Sequence, residues 1–189
     1  MRLKSEDRRN AILSAATEVV AERGVRASTA AIAAAAGVGE GSLFTYFKNK
    51  DELLNALYRE IKLDMANAMM SGFPRRLNVR RKLQHVWNSY INWGMRNPLQ
   101  NRALRQIEIW AGLTEESKKA GSAPFLEIQQ MANEATEQHL LRDVPLELIG
   151  AAVGALAQMT MELLERNPNS LEYREAGFEM LWGAITKRH

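Results

Sequence analysis

The chain has 189 residues, no cysteine and a formal net charge of +3. That length suits one compact domain, or a small domain attached to a larger one, burying roughly 70% of its unfolded surface without covalent staples. The missing cysteines exclude disulfides and thiolate metal sites and fit a reducing cytoplasm.

The opening stretch "MRLKSEDRRNAIL" has no apolar core followed by a small-residue cleavage site, so no secretory signal is expected. Apolar and polar residues do not alternate over any sustained run, and helix formers dominate, which predicts an all-α fold. The spacing of Ile12, Ala16, Val19 and Val20 predicts a first helix over 6–23, ended by Gly24 and Val25. Ser28 or Thr29 caps a second helix with Ile32, Ala33 and Ala36 turned inward, and Gly37 with Val38 repeats the glycine–valine ending. A short third helix over 40–47 precedes "NKDEL", which opens a long fourth helix reaching about residue 70. Asp51 and Glu52 favour its N-terminal dipole. The segment around Pro74 breaks the pattern.

A fifth helix over 79–96 places Leu83, Val86, Trp87, Tyr90, Ile91, Trp93 and Gly94 on one arc, with His85, Asn88, Ser89 and Asn92 opposite. That arc is wider than the stripe of a surface helix, so this helix is expected to be mostly enclosed. Four more helices are expected at 99–111, 124–141, 146–166 and 171–187. "GLTEESKKAGSAP" reads as a mobile polar connection with room for one helical turn. The apolar run Leu148 to Leu164 is short for a membrane span and carries Gln158 and Glu162, so it reads as a buried helix of a soluble protein.

Only "GVG" separates the second and third helices, too little for antiparallel packing, so they must cross steeply as in a helix-turn-helix. Alanines on the second helix permit close approach, while Val38, Leu43 and Phe47 plug the core beneath the turn. Glu40, Gly41, Ser42, Thr45 and Tyr46 remain outward, a slim face that fits a DNA major groove. Residues 1–50 carry Arg2, Lys4, Arg8, Arg9, Arg23, Arg26, Lys48 and Lys50 against Glu6, Asp7, Glu18, Glu22 and Glu40, a mild basic excess.

The stretch "IAAAAGVGEGSLFTYFKNKDELL" resembles the helix-turn-helix signature of the TetR family of bacterial transcription regulators. The resemblance implies a nine-helix fold, with a DNA-binding domain over 1–49 and a ligand-binding and dimerisation domain over 50–189. It implies that Ser28, Thr29, Tyr46 and Lys50 grip phosphates while Gly41, Ser42 and Thr45 approach base edges. Arg2, Lys4, Arg8 and Arg9 can add an arm beside the helix, and Glu40 reads as a solvated first-turn carboxylate. Two positions depart from the family pattern: Gly39 replaces the usual capping serine, and Phe44 replaces a tyrosine that commonly touches a phosphate. More narrowly, "WNSYINWGMRNP" and "ALRQIEIWAGLT" are similar to the RamR group of repressors governing multidrug efflux.

His85, His139 and His189 have no ligand-spaced partners, and neither a catalytic triad nor a phosphate-cradling glycine loop is present. No cofactor, metal or enzymatic activity is therefore expected. Tyr58, Trp87, Tyr90 and Trp110, with Val153 and the adaptable Met159, are the expected lining of a cavity for small hydrophobic, aromatic or cationic compounds, the family's ligand position. The last two helices carry Ile149, Val153, Leu156 and Leu163, then Phe178, Leu181, Trp182 and Ile185, at helical spacing. They are expected to join two copies in a four-helix bundle. The expected protein is a cytoplasmic, homodimeric repressor of a palindromic duplex operator, released when a ligand wedged between Tyr58 and Trp87 displaces the fourth helix. It needs no membrane. A helical carrier of lipophilic compounds and a TetR-like activator are the alternatives.

Overall fold

A computed structural model describes residues 2–167, 170 and 172–187, with side chains from Ser5 onward. The described residues form α1 (Arg2–Arg23), α2 (Thr29–Ala35), α3 (Glu40–Tyr46), α4 (Lys50–Met70), α5 (Val79–Arg96), α6 (Pro98–Glu108), α7 (Glu115–Ser122), α8 (Leu126–Glu137), α9 (Leu146–Arg166) and α10 (Glu172–Ile185). The all-α fold is as expected, and each of the nine expected helices is present. The polar connection holds more order than expected: it forms the two-turn α7, capped by Thr114, whose side chain accepts from the Ser117 N–H. Helix α1 already runs from Arg2, so the basic residues expected to form an arm lie within a helix. The side chains of Arg2 and Lys4, and His189, lie outside the described residues.

Two compact units result. The first comprises residues up to Asp64 together with Asn97–Pro124; the second comprises Met65–Arg96 with the residues from Phe125 on. The long α4 supplies residues to both.

In the first unit α1 packs against α2 and α6, and α2 against α3. Ile12, Leu13, Ile32, Leu43, Leu53 and Leu54 are fully buried there. Gly24 and Gly37 adopt φ of 75° and 66°, the left-handed region that lets a helix end in one residue. A polar clasp holds the α6–α7 connection to α4. Asn55 is buried, and its Nδ2 donates to the Asp51 carbonyl at 2.8 Å and the Gly112 carbonyl at 3.0 Å. Its Oδ1 accepts from the Thr114 N–H at 3.0 Å. Arg59 donates to the Ser117 hydroxyl one turn further along, at 2.6 Å.

In the second unit α5 packs against α8, α9 and α10, and α9 against α10. As its arc requires, α5 buries Leu83, Val86, Trp87, Ile91, Trp93 and Gly94. His85, expected on the outer side, is half-buried, with its Nε2 at 3.0 Å from the Met69 carbonyl. Helix α9 departs from expectation. It is long and apolar enough to cross a membrane by length and composition, yet most of it is not buried within the chain. Its inward residues are Ala157, Thr160, Met161 and Leu164, whereas Leu148 and Met159 are exposed. Its sequence is predominantly apolar, but one chain covers only one stripe of it.

A candidate nucleic-acid interface

The site begins with the turn between α2 and α3. Gly37 takes positive φ, and the Val38 N–H returns to the Ala33 carbonyl at 3.0 Å, ending α2 in a tight turn. Leu43 and Phe47 are buried beneath it, which fixes which face of α3 is left outward. Glu40, Gly41, Ser42, Phe44 and Thr45 are exposed on that face, and Tyr46 is half-buried.

Of the expected phosphate-gripping residues, Ser28, Thr29 and Lys50 sit at helix starts, whereas Tyr46 is the last residue of α3. Ser28 is the N-cap of α2, its Oγ accepting from the Ala31 N–H at 3.2 Å, so the hydroxyl proton stays free to donate outward. Lys50 is the first residue of α4 and half-buried. The entry to α4 is set by reciprocal bonds: the Glu52 N–H donates to Asn49 Oδ1 and the Lys48 N–H donates to Glu52 Oε2, both at 2.8 Å. This fixes where the chain leaves α3.

Thr29 has a partner that sequence spacing did not reveal. Its hydroxyl donates to Glu40 Oε1 at 2.6 Å, bracing the start of α2 against the start of α3. Glu40 is therefore a positioned carboxylate rather than a freely solvated one. Thr45 turns its hydroxyl back to the Gly41 carbonyl at 3.4 Å. Arg9, expected in an arm, lies over the Phe47 ring at 5.5 Å and 3.7 Å from Glu60.

Gly41 stands out physically. It lies within a helix, has no positive φ, and a Cβ built on it would meet nothing within 4 Å. Nothing among the described residues requires glycine there, although glycine in a helix costs about 0.5–1 kcal/mol relative to alanine.

Residues 12–57 match the family model for bacterial regulatory proteins, tetR family. An HTH-type transcriptional regulator of Bacillus subtilis, YhgD, is 38% identical to this chain over 84 residues, covering 42% of this chain and 44% of that protein. The chain thus matches less than half the length of such curated relatives. A TetR family transcription regulator of Marinobacter aquaeolei is similar in structure over the whole of both chains, with a TM-score of 0.88 and 23% identity. Two structures with a TM-score of 0.67 carry ligands. LfrR of Mycobacterium smegmatis, in complex with proflavine, is 22% identical over 96% of this chain and 99% of its own. FadR of Bacillus subtilis, in complex with stearoyl-CoA, is 18% identical over 93% and 98%.

The residues expected around a ligand do not share one setting. In the first unit Tyr58 is buried against Gly121, where a Cβ would come within 2.6 Å of its ring. Burial, with Glu108 nearby, pushes its phenol above the ordinary range. Trp110 lies half-buried over Gly112. In the second unit Trp87 is fully buried and its indole N–H donates to the Arg174 carbonyl at 3.0 Å. Tyr90 stacks on Trp93 with centroids 6.3 Å apart. Val153 is half-buried and Met159 is 45% exposed, both on α9.

Proposed function

We propose that this chain is a ligand-responsive transcriptional repressor that binds a palindromic duplex operator as a dimer and lets go when a small hydrophobic, aromatic or cationic compound binds. The observation that carries the reading is Gly41. A helical glycine facing open space lowers the protein's own stability, so its advantage lies with something outside that approaches the backbone closely. A major groove admits a helix in this way, with the first residues of the helix at the base edges. Ser28, Tyr46 and Lys50 then position the phosphates, Thr29 braces α2 on α3 through Glu40, and Ser42 and Thr45 face the bases.

The exposed apolar stripe of α9 supports a dimer. Gly150 and Gly154 on α9 and Gly183 on α10 also face open space within one chain, which lets a second helix pair approach closely. The C-terminal helices supply the ligand-binding and dimerisation part, and the first 49 residues the reader. Structures of similar fold carrying proflavine and stearoyl-CoA support a flat or apolar ligand. The resemblance of the α5 and α6 sequences to the RamR group supports target genes in multidrug-efflux control, for a protein acting in the cytoplasm.

The test is Gly41→Ala. Thermal stability is expected to rise slightly, since alanine is the better helix former, while affinity for duplex sites selected by the wild-type protein falls at least tenfold. Unchanged duplex affinity in the stabilised variant would show that α3 does not enter a groove.

A further inference from the structure

Helix α3 is weakly held by its own sequence. It has seven residues, too few to be stable alone, and one of them is Gly41. Its N-cap, Gly39, makes no side-chain cap hydrogen bond. Apolar anchoring comes late: Leu43 is buried in its middle and Phe47 just past its end, whereas Glu40, Gly41 and Ser42 at its start are exposed. Anchors at one end fix where a helix lies but leave its direction loosely set.

The hydrogen bond from Thr29 Oγ1 to Glu40 Oε1, at 2.6 Å, supplies the missing hold. Among the described residues it is the one side-chain hydrogen bond that joins α2 to α3. It ties first residue to first residue, since Thr29 opens α2 and Glu40 opens α3. The ionised acceptor strengthens it. In other respects a carboxylate is a poor choice, because at the start of a helix proposed to enter a groove its charge opposes a polyanion. A first-turn carboxylate also favours the helix dipole, but that needs no partner at Thr29.

We propose that Glu40 is a positioning residue: through Thr29 it sets the direction of α3 against α2, and base discrimination depends on that bond and not on the charge. The proposal rests on the DNA reading above and adds what makes the reader selective.

Bond and charge separate by substitution. Wild-type protein is first used to select sites from random-sequence duplexes, and affinities for a selected and a scrambled duplex are then compared. Glu40→Ala and Thr29→Val are each expected to lower the ratio of the two affinities about tenfold, and the double variant no further than either. Glu40→Gln keeps an acceptor for the Thr29 hydroxyl without the charge, so it is expected to keep the ratio while binding both duplexes more tightly. Circular dichroism confirms that each variant remains folded. If Glu40→Ala keeps the ratio, or Glu40→Gln loses it as Glu40→Ala does, the positioning role is overturned and the DNA reading stands. The same holds if Thr29→Val weakens both duplexes equally, which is the mark of a phosphate contact. If the wild type binds no duplex, both fall.

Discussion

Trp87 is the largest fully buried side chain among the described residues. Gly177 of α10 lies against it: a Cβ there would come within 2.9 Å of the indole and 2.7 Å of Thr160 Oγ1. Trp87→Ala is expected to lower the unfolding free energy by about 3–5 kcal/mol through lost burial and the cavity left behind. Gly177→Ala should cost about 1–3 kcal/mol by overpacking the same spot. Urea unfolding of both variants checks this, and a loss below about 1 kcal/mol for Trp87→Ala would mean the site collapses freely. Any ligand affinity measured in a Trp87 variant therefore needs its stability beside it. At this scale the sequence was legible where a local rule applied. Ser28 as a cap and Gly37 as a turn both follow from their neighbours. The Thr29–Glu40 bond was not legible, because it joins residues eleven apart whose meeting depends on the crossing angle of two helices.

The helices themselves were read well where periodicity was strong, and less well where packing decides. Arg2–Ser5 joined α1 with Leu3 as their one apolar residue, too little for a periodic signal. Thr114, Glu115 and Glu116 carried a cap and an acidic first turn for α7. Its partner Asn55, however, is 59 residues away and looked like one more polar residue of α4. Asn55→Ala is expected to cost about 2–3 kcal/mol, since it leaves the Gly112 carbonyl and the Thr114 N–H without their partner. Hydrogen exchange should quicken at Thr114–Ser117 first, and uniform exchange would mean that α7 is held by other contacts. Helix α9 offers a sharper test. In an isolated chain Gly154→Ala should stabilise by about 0.5–1 kcal/mol, because it fills open space and favours the helix. In a dimer packed through that face it should instead weaken self-association. Sedimentation of the wild type and variant over a concentration series is expected to show the weaker dimer. A variant that associates as tightly and unfolds later would move the interface off α9.

For the molecule as a whole, the division by compactness differs from the division by role. The proposed reader ends near residue 49, yet the first compact unit continues to Asp64 and takes in α6 and α7. Sequence order could not show this, because α6 and α7 return after an excursion of more than thirty residues. The helix that follows the reader, α4, supplies both units. Ligand and operator are expected to antagonise each other with a coupling of about 1–3 kcal/mol. The coupling must be reciprocal. Calorimetric titration of ligand into free protein and into the protein–operator complex should give the same ratio of affinities as operator binding measured with and without ligand. Equal ligand affinities for free and bound protein would remove the switch, however tightly the ligand binds.

The placement of the tryptophans has an optical consequence. Trp110 is the single tryptophan of the first unit, whereas Trp87, Trp93 and Trp182 belong to the second. Trp110 is partly open to solvent, and Trp87 and Trp93 are shut away from it. Emission that an aqueous quencher such as iodide removes first therefore comes from Trp110 and the half-buried Trp182. With Trp182 changed to phenylalanine, the quenchable light isolates the first unit, and the protected light isolates the second. One cuvette then reports the two halves of the molecule in separate colours, with no attached label.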